Sequence, residues 1–95
     1  MLVATDRRGA GVAGEWLGRP FGAAVRTRRL ELGLTQERLA QQAGMSQGAL
    51  SRMEHGRGVP TLPVLERLAA ALSSNLLISL SPHGGAHVVF KALPR

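Results

Sequence analysis

Residues 32–62 read LGLTQERLAQQAGMSQGALSRMEHGRGVPTL, and their punctuation predicts two short helices joined by a tight turn. Thr35 stands where a helix needs an N-cap, because its hydroxyl can accept from a backbone amide that has no partner inside the helix. Arg38 occupies the position where a capping box would carry Glu, so the box is incomplete. The helix opened by Thr35 runs to about Ala43, and Gly44 then takes the chain through the left-handed region at no steric cost. Ser46 caps the next helix, which ends near His55 and Gly56. Ala40 is small where the two helices cross, while Leu39, Met45, Leu50 and Met53 fall on the sides that face a core. A corner packed for stability alone shows the same Leu and Ala pattern, but it has no need to display Gln36, Gln47, Ser51 and Arg52 together.

Working outward, Pro20 opens a preceding helix whose spacing of Phe21, Val25 and Leu32 gives a buried stripe, and Gly33 ends it. Residues 1–19 carry Gly9, Gly11, Gly14 and Gly18 with little periodicity and read as a mobile arm. On the other side, after a loop with Gly58 and Pro60, Thr61 caps a fourth helix that tolerates Pro63 in its first turn. Leu62, Leu65, Leu68, Ala69 and Leu72 form its buried face, with Glu66 and Arg67 toward water. The region 20–72 is therefore one helical domain.

Beyond Ser73 the period changes from about 3.6 to 2, which predicts a hairpin over 73–95. A loop at His83, Gly84 and Gly85 pairs Leu80 with Val88, Ile78 with Phe90 and Leu76 with Ala92. All six apolar side chains then share one face. A two-stranded sheet with one apolar face is marginal alone, so that face is covered by its own helices or by a second copy of the hairpin. Leu76, Ile78, Leu80, Val88 and Phe90 are accordingly the candidate dimer contacts.

Twelve Lys and Arg against six acids give a net charge of +6, and eleven of the twelve bases are Arg. A planar fork of donors suits phosphate oxygens and guanine edges, so nucleic acid leads as the partner. With no cysteine there is neither a disulfide framework nor a thiolate nucleophile, and the reducing cytoplasm is the expected compartment. No apolar run approaches the roughly 18 residues of a membrane helix. No acid sits where it would orient a Ser–His pair, and neither GxxxxGK[ST] nor HExxH occurs, so an enzyme is not expected, nor is a cofactor. His83 and His87 flank a glycine turn without a nearby carboxylate or thiol and read as surface residues, not as metal ligands.

With these residues in place, the stretch 32–62 resembles the helix-turn-helix family of the phage lambda repressor and Cro proteins, over about Phe21 to Leu72. LGLTQ, the spacing of Ala40 and Gly44, Ser46, and the SRMEHG end of the third helix carry the likeness. It implies a mainly α fold of four to five helices, here with a C-terminal β-hairpin, and a homodimeric transcriptional repressor on an inverted-repeat operator in double-stranded DNA. It further implies that Gln36 holds a backbone phosphate together with the amides of its helix, and that Gln47 reads a base, adenine suiting its amide. Gly48, Ser51 and Arg52 fall on the other groove-facing positions. Gly48 is silent there or is served by close backbone approach, and Arg52 meets guanine or phosphate. Arg29 and Glu54 match a structural ion pair. Ser46, Arg26, Arg28 and Arg57 complete the phosphate set, although Arg26 and Arg28 could equally solvate the outer face of their helix. A helix-turn-helix followed directly by β structure also resembles the organisation of HipB-like antitoxins, which implies as the alternative a toxin partner and autoregulation.

Overall fold

A computed structural model describes residues 9–58 and 60–94. Four helices, α1 (Gly9–Glu31), α2 (Gln36–Ala43), α3 (Gln47–Glu54) and α4 (Leu62–Ala71), precede two strands, β1 (Ser74–Ser81) and β2 (Gly85–Ala92). The strands pair antiparallel, and together with the helices they enclose a core of Phe21, Val25, Leu39, Ala40, Ala43, Leu50, Met53, Leu68, Leu72 and Phe90. This is the expected mainly α helix-turn-helix architecture with a C-terminal hairpin.

Local chemistry sets the helix ends. Thr35 and Ser46 both have extended backbones and accept from the amides three residues on, Arg38 and Ala49. Gly44, at φ 69°, closes α2 with the bonds Gly44 N–H to Gln41 O and Met45 N–H to Ala40 O. Gly33 and Gly56 close α1 and α3 with the same pair of bonds, a paired arrangement that satisfies the last carbonyls of each helix.

The start of α1 differs from expectation. Residues 9–19, read from sequence as part of an arm, are helical, and Pro20 lies inside the helix instead of opening it; residues 1–8 of that arm lie outside the described residues. Pro20 removes a bond to the carbonyl of residue 16, at a cost of about 3 kcal/mol. Packing on both sides of Pro20 offsets it, since Gly18, Phe21, Gly22 and Val25 are all buried. The two glycines act here by lacking a side chain. A β-carbon on Gly18 would lie 2.6 Å from the carbonyl oxygen of Gly56, and one on Gly22 would collide with that of Met53. Their absence lets α1 lie directly on the C-terminal end of α3.

Further along, Leu32 is exposed and Arg29 takes its place in the buried stripe of α1. Leu62, at 67% exposure, is not part of the buried face of α4, because it precedes the turn at which that helix meets the core; Leu68 and Leu72 carry the contact. Thr61 has the N-cap backbone but makes no side-chain capping bond. Arg67 does not simply face water, since its Nε donates to the carbonyl of Ala43 at 2.8 Å and satisfies the end of α2.

The hairpin forms with its register displaced by two residues. Leu76 pairs with Phe90, Ile78 with Val88 and Leu80 with Ala86, around a loop of Pro82, His83 and Gly84. The loop forms there because Ser81 Oγ accepts from the Gly84 amide at 3.1 Å and Gly85 takes the left-handed position at φ 80°, as a three-residue hairpin loop requires. A displacement by two keeps every side chain on its face. Phe90 is buried in its own subunit, with its ring centroid 6.0 Å from that of Phe21, and Leu76 and Val88 pack against the same core. These three are thus not free for a second copy, whereas Ile78 and Leu80 toward the tip stay uncovered.

Candidate nucleic-acid interface

The frame holds α3 by one side. Leu50 and Met53 are buried, and the helical repeat places Gln47, Gly48, Ser51 and Arg52 together on the opposite face, with Gln47, Gly48 and Arg52 exposed and Ser51 half-buried. Arg52 folds back along the helix, so that its Nη1 lies 3.5 Å from where a β-carbon of Gly48 would stand. The surface at Gly48 is thus occupied by Arg52, at a distance that a β-carbon there would also tolerate. At the C-terminal end of α3, Ala49, Arg52, Met53, Arg57, Gly58 and Pro60 line a groove of about 210 Å³. Two guanidinium groups flank it.

Behind this face lies an ion pair shared by three helices. Arg29 Nε donates to Glu54 Oε2 at 2.7 Å and Arg29 Nη2 to Oε1 at 3.0 Å, with side chains 9% and 2% exposed. Arg29 Nη1 also donates to the Leu34 carbonyl at 2.8 Å. Burial pushes the Glu54 carboxyl up, but hydrogen bonds from Arg29 and Gln36, with the charges of Arg29 and Arg26, hold it below the usual carboxylate range. The bond to Glu54 raises the guanidinium of Arg29. Both groups are charged at neutral pH.

The residues expected at phosphate separate into two kinds. Ser46, Arg26 and Arg57 are exposed around α3, Ser46 with its hydroxyl already engaged as the cap. Arg28 is tied inward: its Nε donates to Ser74 Oγ at 2.8 Å and to the Leu72 carbonyl at 3.2 Å, and its Nη1 meets Glu31 at 3.3 Å. It joins α1 to the start of β1, so it leaves the phosphate set. Gln36 stands at the first position of α2, and its Nε2 donates to Glu54 Oε1 at 3.1 Å, leaving one side-chain N–H unshared. Sequence reasoning missed Arg19. Its Cγ lies 3.0 Å from a β-carbon built on Gly56, so its stem rests against the end of α3, one heptad before Arg26 on the same face of α1. That spacing is visible only once α1 is continued through Pro20.

The family described as "Helix-turn-helix domain" matches residues 20–73 of this chain. An HTH-type transcriptional regulator of Methanothermobacter thermautotrophicus is 44% identical over 48 residues, which span 50% of this chain and 70% of the relative. Among solved structures, the clp gene regulator ClgR from Corynebacterium glutamicum is similar with a TM-score of 0.57 and 36% identity, over 59% of this chain and 60% of that one. The likeness thus spans less than two thirds of that regulator. The restriction-modification controller protein C.AhdI from Aeromonas hydrophila is similar with a TM-score of 0.53 and 27% identity, over 65% of this chain and 86% of that one.

Proposed function

The chain belongs to the helix-turn-helix domain family, and from that premise we propose that it is a sequence-specific DNA-binding transcriptional repressor, acting as a cytoplasmic homodimer on an inverted-repeat operator. The observation that carries the reading is the solvent-facing surface of α3, where Gln47 and Arg52 are exposed beside a half-buried Ser51 while Leu50 and Met53 fix the helix to the core. An amide on a rigid helix suits the paired donor and acceptor of adenine, and a guanidinium suits guanine N7 and O6. Arg19, Arg26 and Arg57 surround that surface and meet phosphates, which sets the helix in register without reading sequence.

One such helix contacts only a few base pairs, so affinity and specificity come from two copies rigidly joined. The hairpin is the dimer element in this reading, with its contact surface moved from that expected. Leu77 and Val89, cross-strand partners on the face away from the helices, are 53% and 52% exposed, and Leu80 at the tip is 62% exposed. Leu77 and Val89 are the side chains a second copy covers, while Ile78 and Leu80 lie on the opposite face of the sheet, beyond the helices. Selection of bound sequences from random duplex DNA tests the whole reading, because it reports half-site, spacing and symmetry together. A recovered palindrome supports it; sequence-indifferent recovery overturns it.

A further inference from the structure

Glu54 does more than complete an ion pair. Its Oε1 accepts two hydrogen bonds, from Arg29 Nη2 at 3.0 Å and from Gln36 Nε2 at 3.1 Å, in a site where its side chain is 2% exposed. The three residues come from three elements: Arg29 from α1, Gln36 from the first position of α2, and Glu54 from the last position of α3. Thr35 caps the amide of Arg38, while the amides of Gln36 and Glu37 precede the first possible bond within α2 and point out of its N-terminus.

We propose that Glu54 is a positioning residue for DNA: it aims the side-chain nitrogen of Gln36, beside the free amides of α2, at a backbone phosphate. This rests on the DNA-binding reading above and on the phosphate contact expected of Gln36 at the start of α2. A primary amide has two unlike ends. Turned the other way, Gln36 would set its carbonyl oxygen against a carboxylate oxygen, two acceptors facing each other, so the carboxylate selects the orientation with nitrogen inward. That orientation spends one N–H on Glu54 and leaves the other for a ligand. A bare carboxylate so close behind the amide would repel a phosphate, and the bidentate Arg29 cancels that charge. Because Glu54 ends the helix that carries Gln47 and Arg52, the phosphate contact of α2 and the base contacts of α3 are held in one fixed relation.

A double-mutant cycle on binding to the selected operator tests this. Gln36→Ala should weaken binding about tenfold, the order expected for losing a hydrogen bond to a charged group, and equally on operator and unrelated duplexes. Glu54→Gln should weaken it to a similar extent in the wild-type background, and add little to Gln36→Ala. Equal losses from Glu54→Gln in both backgrounds would show a purely structural role and overturn the proposal. No loss from Gln36→Ala overturns both the proposal and the phosphate assignment of Gln36, while leaving the base-reading face untouched. The unmutated protein gives an independent readout if Glu54→Gln does not fold. The two Gln36 side-chain protons should be well separated and slow to exchange by NMR in the free protein, and only one should move strongly when DNA is added. Averaged, solvent-like side-chain signals would refute the fixed amide.

Discussion

At Gly22 the smallest side chain decides the packing of two helices. A β-carbon there would strike the carbonyl oxygen of Met53, and that atom belongs to the backbone of α3 and cannot swing aside. Gly22→Ala should therefore cost about 3 kcal/mol, at the upper end of overpacking, and lower the melting temperature although alanine favours helix. Glu54 gives a second test, through pH. Its folded carboxyl lies below the ordinary range, so its contribution is complete above about pH 4.3 and is lost as pH falls through the lower folded value. Glu54→Ala should cost roughly 3–5 kcal/mol at neutral pH by stranding Arg29, and the gap to wild type in thermal melts should narrow on acidification to about pH 3. A gap independent of pH would mean that the ion pair does not set this cost. On the reading face, Gln47→Ala should relax preference at one position of each half-site at a cost of roughly 1–3 kcal/mol, measured by titration against operators altered at single bases.

Elements differ in how far their causes lie from them in the chain. Thr35, Gly44 and Ser46 act through bonds to residues within a few positions, so α2, the turn and α3 were legible in the sequence, as was the face formed by Gln47, Gly48, Ser51 and Arg52. Arg28 and Gln36 were not, because Ser74 and Glu54, which claim their donors, are distant in sequence. Gly18 misled for a related reason: freedom and close approach call for the same residue, and only the partner backbone tells them apart. The hairpin face was foreseen but its register turned on one loop residue, and with it the candidate dimer contacts changed. Phe90→Asp should now unfold the domain, since it places a charge in the core beside Phe21. Leu77→Asp should instead leave helical circular dichroism intact and yield a monomer by sedimentation equilibrium. A folded dimer from Leu77→Asp would place the interface elsewhere.

For the whole molecule, half-site spacing and charge bear on how many copies act. Among the described residues there is one α3, whereas adjacent half-sites lie about 34 Å apart, centre to centre, so one copy of this fold presents a reading helix to one half-site only. With Arg28 and Arg29 occupied inside the fold and Arg52 assigned to a base, Arg19, Arg26 and Arg57 are the three exposed guanidinium groups that the proposed reading sets against phosphate around α3. Two copies would then displace counterions from on the order of six phosphates, and the logarithm of operator affinity should fall with the logarithm of salt at a slope of about −5. The Leu77→Asp monomer keeps the same three groups on one half-site, so its slope should be about half as steep while its base preference within the half-site is unchanged. That pairing separates the roles of hairpin and helix. If the monomer kept the full slope, the basic groups that meet DNA would all lie on one copy; if it lost base preference, the hairpin would be shaping α3 and not merely doubling it.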